Sequence, residues 1–231
     1  GSESQAPIAA ELARFLRVPD KPMILALSRP DERKNLGTLL RAYGESAALQ
    51  ALANLVVVAG NRDDIRDLDN GAQGVLGELL QDVDRYDLYG KVAYPKHHRR
   101  DEVPVLYRLA AASGGVFVNP ALTEPFGLTL IEAAASGLPI VATADGGPKD
   151  IVANCRNGYL VDPLSPEDMA AALRTVLEDR ENWARLAAEG LQGVQRHYAW
   201  PAHARTYLDA IQPLLADRRP LRAPAVRRAG L

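Results

Sequence analysis

Residues 119–143 read NPALTEPFGLTLIEAAASGLPIVAT, and the fold turns on how they are read. The preceding residues 116–118 (VFV) form a short apolar run, bounded by glycines on one side and Asn119-Pro120 on the other, which suits a buried strand. Pro125 and Gly127 mark a sharp turn, because proline fixes φ and glycine adopts backbone that other residues avoid. Residues 128–135 are rich in helix formers, Gly137 suits a helix cap, and Pro139 opens a second strand. A strand feeding a glycine turn and a helix aims backbone N–H groups and a positive dipole end at whatever lies above the sheet. That is an anion site. Glu124 before the helix and Glu132 inside it place hydroxyl acceptors beside the anion. A sugar linked to a phosphate has this layout.

Upstream, residues 10–16 suggest a short helix ended by Pro19, and residues 23–27 (MILAL) a first strand. Ser28-Arg29-Pro30-Asp31 is turn chemistry. A helix then begins near Arg33 or Lys34, with Leu36, Leu39, Leu40 and Tyr43 at helical spacing. Residues 54–59 (NLVVVA) are a second buried strand closed by Gly60-Asn61. A charged loop at 63–70, an amphipathic helix at 75–83, a short strand around Gly90-Lys91-Val92, a basic loop at 96–100 and a helix at 103–112 follow. Downstream, Asp145-Gly146-Gly147-Pro148 precedes a short helix at 149–153, and Asn157-Gly158 turns into a strand at 159–161. Ser165-Pro166-Glu167-Asp168 combines an N-cap, an N1 proline and early acids, and helices are expected at 166–178, 181–197 and 201–215.

Strands alternate with helices, and the strands are continuous apolar runs. This predicts an α/β fold, a Rossmann-like parallel sheet flanked by helices. Residues 1–20 read as a tag remnant (Gly1-Ser2) and a helical lead-in, and residues 21–216 as the sheet domain. Residues 217–231, with five arginines and two prolines, read as a disordered tail. Ligands of such folds bind beyond the carboxyl ends of the strands, so the loops at 28–34, 60–62, 91–98, 119–127 and 144–148 are the candidates.

Composition narrows the partners. Hydrophobic residues make up 47% of the 231 and charged residues 24%, enough for a core. A net charge of −2 argues against nucleic acid or an anionic membrane as main partner. No apolar run approaches the roughly 20 residues of a membrane helix, and a cytoplasmic location is expected. The single cysteine, Cys155, excludes an intramolecular disulfide and a cysteine-based metal site, and reads as an inert small residue. Trp183 and Trp200 are expected to pack.

Arg29 and Lys34, either side of Pro30-Asp31-Glu32, can converge near the anion site, and two cations with a helix N-terminus suit a diphosphate. Surface pairs of this kind are common. The Glu124–Glu132 stretch selects the binding reading. The two glutamates lack the His and Asp neighbours of a metal site. A glycosidase pair of carboxyls would leave both cations without a role. No G-x-G-x-x-G follows the first strand. Lys96-His97-His98-Arg99-Arg100 reads as a solvated loop, since adjacent histidines point apart.

Three segments resemble the sucrose-phosphate synthases: residues 28–35 (SRPDERKN), residues 90–98 (GKVAYPKHH) and residues 124–133 (EPFGLTLIEA). Gly146-Gly147-Pro148 with Asp150-Ile151, and Trp200-Pro201 with His203, extend the match over roughly residues 21–215. These are retaining glycosyltransferases with two facing Rossmann-like domains, the GT-B architecture, so the resemblance implies the carboxyl-terminal, donor-binding domain. It implies that Arg29 and Lys34 hold the diphosphate of UDP-glucose and offset charge on the leaving nucleotide. Glu124 would bind donor-sugar hydroxyls, helped by backbone N–H groups of Phe126 and Gly127, with Leu128 and Thr129 at the phosphates. Glu132 would accept from the ribose, and Lys91 and Val92 would lie against uracil. Glucose would pass to fructose 6-phosphate, giving sucrose 6-phosphate, with no metal or other cofactor. The acceptor-binding half with its catalytic histidine would lie in an amino-terminal domain, so this polypeptide is expected to bind donor and turn over little. A sucrose synthase, a mannosylfructose-phosphate synthase using GDP-mannose, or a non-catalytic nucleotide-binding module are the alternatives.

Overall fold

The computed structural model describes residues 6–216, with side chains through residue 213. Gly1-Ser2, read above as a tag remnant, and residues 217–231, read as a disordered tail, lie outside the described residues. In chain order the elements are α1 (Pro7–Ala13), β1 (Met23–Ser28), α2 (Leu36–Gly44), α3 (Ala47–Leu52), β2 (Asn54–Ala59), α4 (Asn70–Arg85), β3 (Val92–Ala93) and α5 (Val103–Ala112). Then come β4 (Val116–Asn119), α6 (Leu128–Ala135), β5 (Ile140–Thr143), α7 (Pro148–Cys155), β6 (Gly158–Val161), α8 (Pro166–Glu178), α9 (Arg180–His197) and α10 (Trp200–Ala216).

The strands pair in parallel in the order β3-β2-β1-β4-β5-β6. Every residue of β2 is buried, and alternate residues serve opposite faces. Leu55 and Val57 join Leu39, Tyr43, Leu76 and Leu173 in the core under α2, α4 and α8. Val56 and Val58 join Leu106, Phe117, Leu130 and Ile140 in the core under α5, α6 and α7. Two covered faces are why the strands read as unbroken apolar runs. Ile8 and Leu12 of α1 are buried in the second core.

Where the elements depart from expectation, local backbone explains it. The helix expected from Arg33 or Lys34 is first a 3₁₀ turn, Glu32–Lys34, capped by the Asp31 carboxylate accepting from Arg33 N–H. Asn35 then adopts φ 55°, and α2 starts afresh at Leu36. The unanticipated α3 is capped by Ser46, whose hydroxyl accepts from Leu49 N–H. Trp183 packs, donating Nε1–H to the Gly115 carbonyl at 2.7 Å. Trp200 does not pack, and is 83% exposed at the start of α10. Cys155 is buried, and burial pushes its thiol up to about 11, which disfavours the thiolate. Among the described residues no helix is long and apolar enough to cross a membrane.

Candidate functional site

In this strand order the chain leaves β1 toward one face, through α2, and β4 toward the other, through α6. The loops therefore part at the carboxyl ends of β1 and β4, which opens a crevice. A cavity of about 460 Å³ lies there, lined by both loops and by the start of α6. The structure brings Arg29, Lys34, Glu124, Phe126, Gly127, Leu128 and Thr129 to its wall.

Lys34 Nζ donates to Glu124 Oε2 at 2.9 Å, and Asn119 Nδ2 donates to the same oxygen at 3.1 Å. The pair is largely shielded, with side chains 27% and 14% exposed. Burial opposes ionisation of Glu124, but Lys34, Asn119 and the Phe126 N–H outweigh it, and its pKa lies below the ordinary value. Arg29 is exposed, and among the described residues its guanidinium makes no ion pair.

These side chains are aimed by tertiary ties. Asn35, in its left-handed conformation, donates to the carbonyls of Pro120 at 2.8 Å and Pro163 at 2.7 Å, fastening the loop after β1 to two others. Leu122 N–H donates to the Arg33 carbonyl at 2.9 Å. Glu124 is bracketed by the loop after β5, its N–H on the Asp145 carbonyl and its own carbonyl accepting from Gly147 N–H. A Cβ on Gly146, at φ 90°, would collide with the Glu124 carbonyl. Gly127, at φ 95°, turns the chain into α6, so that the Leu128 and Thr129 N–H groups face outward without intrahelical acceptors. The helix ends as expected at Gly137, φ 69°, in a Schellman motif.

Glu132 is not in this cavity. It borders an adjoining cleft of about 500 Å³ with Arg100, Val103, Pro104 and Tyr107. Thr129 and Glu132 are three residues apart on α6 and share a face, so a ligand lying along that face spans cavity and cleft. Tyr107 is buried and donates its hydroxyl to Glu132 Oε2 at 3.1 Å. Burial and the adjacent Glu132 carboxylate push the phenol well above its usual range, so it stays a donor.

The expectation for Lys91 and Val92 is corrected. Val92 pairs with Leu55, four residues short of Ala59 at the carboxyl end of β2, about 13 Å away at strand rise. Its side chain is buried in the core. Lys91 donates to Gln50 Oε1 at 2.9 Å and to the Asp87 carbonyl, at the opposite end of the sheet from the cavity. What does reach the cavity from this part of the chain is His98, half-buried rather than solvated, its Nδ1 without a hydrogen-bond partner among the described residues. Burial lowers its pKa, with Glu102 opposing. Asn35, Asn119, Tyr107 and His98 are the site residues to which motif reading gave no role, and a hydrogen bond to another loop marks two of them, Asn35 and His98.

The family model for group 1 glycosyl transferases matches residues 9–192. The chain belongs to that family. A probable sucrose-phosphate synthase of Oryza sativa is 56% identical over 89% of this group 1 glycosyl transferase chain, and one of Arabidopsis thaliana 54% over 89%. The chain spans about a fifth of the length of these curated relatives, 20% of each. Among solved structures, the sucrose-phosphate synthase of Thermosynechococcus elongatus superposes with a TM-score of 0.71 at 30% identity, over 92% of this chain and 50% of that one. An Anabaena protein solved with UDP superposes with a TM-score of 0.68 at 22% identity, over 93% and 54%, a likeness of fold. The fold is that of a GT-B carboxyl-terminal domain, and its sequence is sucrose-phosphate-synthase-like.

Proposed function

We propose that this domain binds UDP-glucose in the crevice between β1 and β4, and that the full-length protein transfers glucose to fructose 6-phosphate with retention at the anomeric carbon. The observation that carries the reading is the Lys34–Glu124 pair seated at the start of α6 beside Arg29, which makes no ion pair among the described residues. A carboxylate, two cations and a helix N-terminus suit one ligand, a sugar on a diphosphate. Glu124 accepts from donor-sugar hydroxyls, and its depressed pKa keeps it an acceptor at neutral pH. Arg29, Lys34 and the N–H groups of Gly127, Leu128 and Thr129 stabilise the diphosphate as the glycosidic C–O bond breaks and UDP leaves with the electron pair. One preorganised donor of this kind contributes about 3–4 kcal/mol. Glu132, held by Tyr107, accepts from the ribose hydroxyls. Because the two cations supply the countercharge, the reaction needs no metal. The acceptor falls to the part of the relatives' length outside the match.

Calorimetric titration of the 231-residue chain with UDP, GDP and ADP, repeated with EDTA, tests the reading. UDP is expected to bind tightest and EDTA to change nothing. GDP binding more than tenfold tighter than UDP, about 1.4 kcal/mol, overturns the uridine assignment, and loss of UDP binding in EDTA overturns the metal-free one.

A further inference from the structure

Arg62 follows β2 directly after Gly60-Asn61, and its side chain is among the few charged ones that are buried, at 8% exposure. Its guanidinium meets no carboxylate among the described residues. Nη1 donates to the Pro95 carbonyl and Nη2 to the Tyr94 carbonyl, each at 3.3 Å, while Nε is buried without an acceptor. Its backbone N–H donates to the Lys96 carbonyl at 3.0 Å. The neighbours repeat the pattern. Asn61 donates to the His98 carbonyl at 3.0 Å and accepts from His98 N–H at 2.8 Å, and Lys96 Nζ donates to the Asp63 carbonyl at 2.7 Å.

A buried arginine keeps its charge and is costly to desolvate. An apolar side chain would fill the space at less cost. What the guanidinium adds is direction: its planar fork fixes two successive carbonyls at once. Those carbonyls open the segment that carries His98 into the cavity and Arg100 into the cleft beside Glu132. Residues 94–100 thus wall the space between the diphosphate end, at Lys34 and α6, and the Glu132 end.

We propose that Arg62 is a positioning residue for the nucleoside half of the donor, clamping residues 94–98 so that the segment they lead into carries Arg100 into the cleft beside Glu132. This rests on the nucleotide-sugar reading above. Arg29, Lys34 and Glu124 at the diphosphate end make no hydrogen bond to Arg62 or to residues 94–98 among the described residues, so the nucleoside half of the ligand should respond more strongly.

The test is calorimetry of UDP, uridine and inorganic pyrophosphate with the parent chain and with Arg62→Met, Arg62→Lys and Asn61→Ala. Circular dichroism melts accompany each titration. In Arg62→Met, UDP and uridine are expected to bind at least tenfold more weakly, with pyrophosphate within twofold of the parent. Arg62→Lys should recover part of the loss, since an ammonium still reaches one carbonyl. Asn61 is exposed, so Asn61→Ala folds and should show the same selective loss at smaller size, which decides the matter if Arg62→Met unfolds. Unchanged UDP affinity in the folded variants, or equal losses for UDP and pyrophosphate, overturns the clamp. A parent chain that ignores UDP overturns the nucleotide-sugar reading, and the clamp's role with it.

Discussion

Glu124 and Glu132 stand on either side of the same glycine turn, and the molecule holds them by different means. Glu124 is half-buried, gripped by Lys34 and Asn119, with its backbone trapped against the loop after β5. Glu132 is exposed on α6, and among the described residues its carboxylate is held by one phenol, that of Tyr107. The first belongs to a junction of three loops and the second to a helix surface with one buried prop. The end of the site where charge would develop is the end with most ties, which is what electrostatic preorganisation requires. The end proposed for the ribose needs only a correctly turned acceptor.

The largest effect should come from the diphosphate end. Arg29→Ala combined with Lys34→Ala should weaken UDP about a hundredfold, near 2.7 kcal/mol, leave uridine unchanged and so erase the preference for the diphosphate. If uridine and UDP bind the parent alike, both cations are structural. Gly146→Ala tests the trap around Glu124. A Cβ there collides with a carbonyl at a positive φ, and about 2 kcal/mol of stability should be lost in a denaturant titration. A fully stable variant means that the Glu124 backbone is free to move.

At the other end, Glu132→Ala should cost UDP and uridine about tenfold each, about 1.4 kcal/mol, while pyrophosphate is unaffected. Unchanged affinity in that variant places the ribose elsewhere. Tyr107→Phe should do the same more weakly, about threefold, because it removes the prop and leaves the acceptor. The smallest effect concerns pH. Glu124 has a depressed folded pKa, so its ion pair contributes stability above the unfolded value and loses it as pH falls through the lower folded value. The acid side of the parent's stability curve should therefore be steeper than that of Glu124→Gln below about pH 4.5, and coincident curves there break the asymmetry.

Legibility in the sequence followed the same division. The strand, turn and helix of residues 116–135 could be read locally, because apolar runs, Pro125 and Gly127 act within a few residues of themselves. The positions of Arg29 and Lys34 followed once strand ends were known. Lys91 and Val92 were misassigned because β3 is a two-residue edge strand, and its register is set by pairing with Leu55 and Val56. A motif shared with a family does not carry that register. Tyr107 lies on the helix expected at 103–112, and nothing in its surroundings along the chain announces Glu132, 25 residues on. Trp200 read as packing on composition alone, and no element covers it among the described residues.

Side-chain volume, φ preference and periodicity operate over one to a dozen residues, and these were enough to specify α/β order, the anion-binding turn and two candidate carboxylates. Contacts between residues 34 and 124, 35 and 163, or 62 and 95 exist only once strands from distant parts of the chain lie side by side. Which carboxylate is locked, which is propped, and which loop lines the cavity are outcomes of that juxtaposition. Glu124 and Glu132 are alike in sequence and unlike in the molecule because their neighbours across the sheet differ.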